Sequence, residues 1–223
     1  MTRLLHPLTR TCGALLLCLP MMTAALAASP PLFNTGLSAN GSSILPTGAI
    51  DTHFTVTGPG YSNAPTYAVN DALGFAGVWL APSSTSKWIT PLVTSDFGGD
   101  VSAGSYTYTT TFDLTGFNPT TGSLSGAAGA DNEITSISIN GAAVAFPSGV
   151  GYSSLAPFIT SGSFVAGINT LRIVVNNFGG PSGLRAELSG NFTATAVPEP
   201  GGAALMLAGL ALFGWTARRS QRI

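Results

Sequence analysis

The chain has 223 residues, a formal charge of −1, and 8% charged side chains against 45% hydrophobic ones. Between Ala28 and Val197, three basic residues (Lys87, Arg172, Arg185) stand against eight acidic ones, a net charge of −5, which excludes a basic track along a phosphate backbone and with it nucleic-acid binding. Both cysteines, Cys12 and Cys18, fall within the first 27 residues, so a mature chain that has lost them holds no disulfide, zinc–thiolate site or cysteine nucleophile.

Residues 1–27 have the layout of a secretory signal peptide. Arg3 and Arg10 supply a positive start, Ala14–Leu19 an apolar centre, and Ala25-Leu26-Ala27 a small-x-small cleavage site, so the mature chain is expected from Ala28. The Sec translocon and signal peptidase are the partners that such a leader implies.

From residue 28 to residue 196 apolar residues recur at a period of two, the pattern of half-buried strands. Ile50, Phe54 and Val56 share one face, with Asp51, His53 and Thr55 opposite. Tyr106, Tyr108, Thr110, Phe112 and Leu114 line one side of a second strand. Ile137 and Ile139, then Asn140-Gly141, then Val144 and Phe146 spell a hairpin, since Asn and Gly both accept positive φ. After a turn at Ala166–Asn169, Leu171, Ile173 and Val175 share a face. Leu184, Ala186 and Leu188 point inward, with Arg185 and Glu187 outward as a solvated pair. Weaker strand signals lie near Tyr67, Phe75–Leu80, Ser123–Ala127 and Phe158. Eight or nine short strands and no long amphipathic helix predict an all-β fold, an antiparallel β-sandwich of jelly-roll type.

Within this body the chemistry-bearing residues are few. Asp131-Asn132-Glu133 follows a Gly-rich loop at a strand start. Its oxygens suit structural calcium or sugar hydroxyls, and equally the capping of a turn. Trp79, Trp88, Tyr61, Tyr67 and Tyr152 are the aromatics able to stack on a sugar ring, and equally to fill a core. Asp96 and Asp100 flank Phe97-Gly98-Gly99, with nothing in the sequence to set the carboxylate separation that a glycosidase needs. His53 alternates outward as a surface histidine, with no Ser-His-Asp pattern around it. No metal-ligand spacing and no Gly-rich phosphate loop is present. The body is expected to be no enzyme.

The end of the chain is the most informative stretch. Pro198-Glu199-Pro200 precedes Gly201–Ala217, 17 residues without charge, and Arg218, Arg219 and Arg222 follow. As a helix that run reaches ~25 Å, slightly short of a ~30 Å hydrocarbon core, a mismatch that thinning and snorkelling arginines absorb. The run reads as a transmembrane helix with its arginines as a cytoplasmic stop-transfer cluster. The two prolines keep the tripeptide extended, the shape of a substrate in a protease groove.

The arrangement from Val197 to Ile223 resembles the PEP-CTERM sorting domain of Gram-negative bacteria that make extracellular polysaccharide. The resemblance implies recognition of Pro198, Glu199 and Pro200 by exosortase, a membrane-embedded transpeptidase-like enzyme, with removal of the anchor Gly201–Arg219. The body is similar, from about Val78 to Phe192, to the galactose-binding-like sandwich of many secreted PEP-CTERM proteins. Thr111-Phe112-Asp113-Leu114, Asp131-Asn132, Asn140-Gly141, Gly167-Ile168-Asn169-Thr170-Leu171, Asn176-Asn177 and Gly183-Leu184-Arg185 carry that similarity, with Trp79–Pro91 upstream. Such domains often place a bulky or basic residue before the Asp-Asn pair, where this chain has Ala127-Ala128-Gly129-Ala130.

Together these features predict three regions: a signal peptide at 1–27, a β-sandwich at 28–196, and a sorting segment at 197–223. The expected protein is exported, held at the inner membrane as a precursor, then placed at the cell surface or in the extracellular matrix. Its body is expected to be a non-catalytic binding or structural module, with Trp79, Trp88, Asp131 and Asn132 as ligand-binding residues and extracellular polysaccharide as partner. The alternatives are a secreted glycan-active enzyme and a permanently membrane-tethered structural protein.

Overall fold

A computed structural model of the chain describes residues 27–28, 30–69, 78–93, 100–195 and 200–220. Its elements are β1 (Ala27–Ala28), β2 (Ile50–Gly58), β3 (Tyr61–Ala68), β4 (Ile89–Thr90), β5 (Asp100–Val101), β6 (Gly104–Asp113), β7 (Phe117–Asp131), β8 (Glu133–Ile139), β9 (Ala142–Val144), β10 (Ala156–Thr160), β11 (Ile168–Asn177), β12 (Gly180–Pro181), β13 (Gly183–Ala194) and helix α1 (Pro200–Ser220). Apart from Ala27, the expected signal peptide lies outside the described residues. So do residues 75–77 of the weak Phe75–Leu80 strand signal, whose remainder is irregular chain.

Among the described residues every strand pair is antiparallel. The main sheet runs β10-β7-β13-β4-β3-β2-β6-β11-β8-β9, with β1 on β13, and a separate ribbon joins β12 to β5. The inner faces of β6, β8 and β11 share one apolar core with those of β7, β10 and β13, so the body is a β-sandwich. Period-two alternation produces that core directly. Tyr106, Tyr108, Phe112 and Leu114 are each at most 2% exposed, and Leu171, Ile173 and Val175 at most 1%. The Asn140-Gly141 pair joins β8 to β9 with both residues at positive φ, 50° and 87°, the backbone that a two-residue hairpin demands.

β13 is bonded along both edges. One edge carries β7, from Gly183 opposite Asp131 to Ala194 opposite Phe117. The other carries, in turn, β4 at Leu184, the segment Asn34-Thr35, and β1 at Phe192 and Thr193. Thr35 N–H donates to the Ala186 carbonyl (3.0 Å), the Ala186 N–H donates to Thr35 Oγ1 (3.0 Å), and the Leu188 N–H donates to Asn34 Oδ1 (2.7 Å).

Three expectations from the alternation need correction, the simplest being Ile50, which is 51% exposed while Phe54 and Val56 are buried. Arg185 is not solvated. It is 2% exposed, because the segment Leu80–Trp88 folds over the outer face of β13. Its Nε donates to Ser86 Oγ (2.8 Å), its Nη1 to the Leu80 and Ala81 carbonyls, and its Nη2 lies 3.7 Å from Glu187 Oε1. Asp51 is 1% exposed rather than facing water. The β2–β3 register shifts between Asp51 and Thr55, which breaks the alternation there. Its carboxylate accepts the N–H groups of Gly36 (2.7 Å) and His53 (2.8 Å), while burial holds its pKa above the usual carboxylate range.

The aromatic cluster at one end of the core sets a test of this packing. Phe192 is fully buried, edge-on to Phe164 at 4.9 Å and to Phe117 at 6.5 Å, and a Cβ on Gly122 would overlap its ring. Phe192→Ala should lower the stability of residues 28–195 by ~3–5 kcal/mol, read as a lower urea midpoint at unchanged slope. Gly122→Ala should destabilise in the same assay, because the ring it meets has no free direction in which to move.

Candidate functional site

Two regions carry the candidate residues: the chain exit after β13, and the opposite pole, where β7 ends and β13 begins. At the exit, Thr195 closes the fold. Its N–H and its Oγ1 both donate to the Gly116 carbonyl, at 2.8 Å and 3.0 Å. Pro198 and Glu199 lie outside the described residues, and Pro200 opens α1. A proline costs nothing at the first helical position, since its missing N–H has no intrahelical acceptor there.

α1 has 21 residues, a rise of about 31 Å along its axis. Its described side chains, 206–219, cover about 21 Å. Among the described residues no helix is long and apolar enough to cross a membrane. What they show is a helix without a polar face. Met206, Leu207, Leu210, Leu212, Phe213 and Trp215 point in all directions around the axis and are 56% to 71% exposed. Arg218 and Arg219 occupy the last turn, where cations meet the negative end of the helix dipole. The Arg219 guanidinium sits 4.9 Å over the Trp215 ring. Arg222 lies outside the described residues.

At the opposite pole the structure brings Trp79 to Asp131 and keeps both from solvent. Trp79 Nε1 donates to Asp131 Oδ2 (2.9 Å), and Ser182 Oγ donates to the Asp131 carbonyl (2.7 Å). The Asp131–Asn132 peptide is cis. Trp79 (4% exposed) and Trp88 (0%) pack on each other at 4.8 Å, with Val69, Leu80 and Tyr152 around them. Trp88 Nε1 is held by the Leu80 carbonyl at 2.8 Å. Neither indole face is open to a sugar ring, because both are consumed in fixing the loop that covers β13.

Asn132 is a turn brace, its Oδ1 accepting the Phe178 N–H at 2.6 Å. Glu133 Oε1 meets Asn176 Nδ2 at 3.5 Å. Asp131 Oδ2 and Asn132 Oδ1 are both committed to protein donors, and Asp131 Oδ1 is buried without a hydrogen-bond partner, so this group gathers fewer side-chain oxygens than the six to eight that calcium takes. No group of three His, Cys, Asp or Glu side chains able to hold a metal occurs among the described residues. Asp96 lies outside them. His53 stacks on Phe33 at 3.7 Å, with Nε2 3.0 Å from the Ser38 carbonyl, which gives it a packing role.

The residue missed by the sequence reading is Phe178, 65% exposed at this pole. The preceding Asn177 is buried and anchors the loop by donating to the Val101 and Ser102 carbonyls, both at 3.1 Å. Its signal was an aromatic wedged between Asn-Asn and Gly-Gly, a turn that exposes whatever it carries. A second surface feature is an open groove of about 670 Å³ on the outer face of β7, β10 and β13, edged by Asn34, Thr85, Ser125, Glu187 and Ile159. Ser86, Ser83 and Thr85 all donate to Glu187 Oε1, and chiefly the Ser86 hydroxyl at 2.6 Å holds its carboxyl below the usual range.

Burial pushes the Asp131 carboxyl up to about 6, against the downward pull of the Trp79 N–H. A folded pKa above the unfolded ~3.9 means that the folded chain binds the proton more tightly. The stabilisation from this group is therefore complete below about pH 4 and is lost as pH rises through 6, a change of at most ~3 kcal/mol. Asp131→Asn should keep the Trp79 hydrogen bond and remove this component. Thermal melts between roughly pH 4.5 and 7.5 should show a flatter pH dependence in the variant than in the parent.

The family described as the PEP-CTERM protein-sorting motif matches residues 196–222, the stretch that contains the tripeptide, α1 and the arginines. No curated protein and no solved structure matches the chain. A motif of this kind implies recognition by exosortase and an exported, membrane-anchored precursor. The chain therefore carries a PEP-CTERM sorting motif that begins directly after Thr195, the last folded contact of a β-sandwich body.

Proposed function

We propose that this chain is an exported surface or matrix protein whose α1 spans the inner membrane as a transient anchor until an exosortase-like enzyme cuts at Pro198-Glu199-Pro200. The observation that carries this is the order of parts in the tail. A stiff acidic tripeptide meets a helix with apolar side chains on all sides, and the helix ends in arginines. A helix with no polar face is stable only where its whole circumference meets an apolar medium. Its uncharged run Gly201–Ala217 reaches ~25 Å, a shortfall from the ~30 Å hydrocarbon core that local thinning and the flanking arginines absorb, and Trp215 beside Arg219 suits the interfacial belt on the cytoplasmic side.

On the same reading the body is a non-catalytic binding or structural module of galactose-binding-like, jelly-roll kind, working in the extracellular polysaccharide layer. Phe178 supports a binding role. It is an exposed aromatic on a loop braced by Asn132 and Asn177, at the pole away from the anchor, where a sugar ring can stack on it.

Co-expression with an exosortase followed by intact-mass measurement tests the sorting half. The expected product lacks the leader and the residues beyond the tripeptide, while Glu199→Ala keeps the tail on. A native protein that retains the mass of α1 in the presence of the enzyme would instead be a permanent tether. A glycan array with residues 28–195 tests the body. Retention should drop at least ~10-fold in Phe178→Ala, a loss of about 1.4 kcal/mol, with no change in melting temperature. Hydrolysis of a polysaccharide that disappears in Asp131→Ala or Glu133→Ala would make the body an enzyme.

A further inference from the structure

The exit pole presents a second surface, built from residues that neither the sorting motif nor the Phe178 pole uses. The loop between β10 and β11 carries Val165, and β11 opens with Ile168, 49% and 62% exposed. These two apolar side chains do not sit on slack chain. Asn169 is fully buried beneath them and donates to the Val165 and Gly167 carbonyls, both at 2.8 Å. Its Oδ1 accepts from the Val165 N–H (2.9 Å) and from Asn140 Nδ2 (2.8 Å), and Asn140 Nδ2 also reaches the Ser163 carbonyl at 2.8 Å. Two side-chain amides thus hold the loop in one shape, with its apolar residues pointing out.

Hydrogen bonds connect this loop to the chain exit. The Leu114 N–H donates to the Gly167 carbonyl (2.8 Å), and two residues on, the Gly116 carbonyl accepts both bonds from Thr195. Phe164, at the start of the loop, is edge-on to Phe192 of β13. Residues 196–199 alone separate Thr195 from Pro200, a reach of at most about 18 Å fully extended. Whatever surrounds the start of α1 therefore lies close to Val165 and Ile168.

Resting on the reading of α1 as a membrane anchor, we propose that the pole bearing Val165 and Ile168 is a membrane-resting surface, seated on the phospholipid interface while the tail is in place. A branched aliphatic pair with no cation suits the interfacial layer through apolar burial rather than through attraction to anionic headgroups. The short tether makes the contact intramolecular, so a weak affinity is enough to keep it populated. Phe178 then points away from the bilayer.

The test uses the full chain with Cys12 and Cys18 changed to Ser and one cysteine restored at a time: Ile168→Cys, Phe178→Cys or Leu210→Cys. Each carries an environment-sensitive fluorophore and is placed in phosphatidylethanolamine–phosphatidylglycerol vesicles that contain a headgroup-level or an acyl-chain quencher. The expected result is a blue shift and loss of emission with the headgroup quencher at residue 168, loss with the acyl quencher at residue 210, and neither at residue 178. Quenching at 210 with 168 as bright as 178 would overturn the proposal and leave the anchor standing. No quenching at 210 would overturn both. Shielding of 168 only after the sorting enzyme is added would overturn it in favour of a protein contact.

Discussion

The body depends on β13 having partners on both edges. Its ladder with β7 runs nearly its full length, and its other edge is occupied by β4, Asn34-Thr35 and β1. An interior strand can satisfy its backbone groups only if both neighbours are present. This strand therefore ties three remote stretches of chain together: the first residues after the expected leader, the Leu80–Thr90 segment, and the exit to the tail. Gly190 shows how close the fit is, because a Cβ there would press on Leu32 and Pro30.

Where one face of a strand is buried and the other wet, the sequence shows it plainly. The faces of β6, β11 and β13 were legible for that reason, as was the Asn140-Gly141 hairpin. The fold was less legible where side chains do something other than alternate. Arg185 lies on the outer face of β13, yet the segment that covers it brings carbonyls and a serine hydroxyl to satisfy its guanidinium. No local pattern announces a cover that arrives from a hundred residues away. Asp51 escaped because a register shift breaks the period. Trp79 and Trp88 carry polar N–H groups that suit a surface, and here each N–H finds an internal acceptor instead.

The tail was legible because its signal is one of order along the chain, not of tertiary contact. Three physical properties follow one another without a break: stiffness, apolarity and positive charge. Candidate residues on the body were harder to read, since the same residue types serve in caps and in ligand sites. Asn132, Asn169 and Asn177 all turn their amides back on the backbone. With few charged groups to spend, this body shapes its loops with asparagine, and the apolar residues left outside are those that the braced loops hold there.

The short pairing of β1 constrains when a cut at the expected leader site could occur. Ala27 lies opposite Thr193 and Ala28 opposite Phe192, so the peptide bond between the two alanines is part of a β-ladder. A peptidase needs that bond stretched out alone in its own cleft, and a bond already zipped to a neighbouring strand is denied to it. A leader cut at this bond, where the sequence places the expected site, would have to leave before β1 zips to β13, and folding would then shut the door behind the cut.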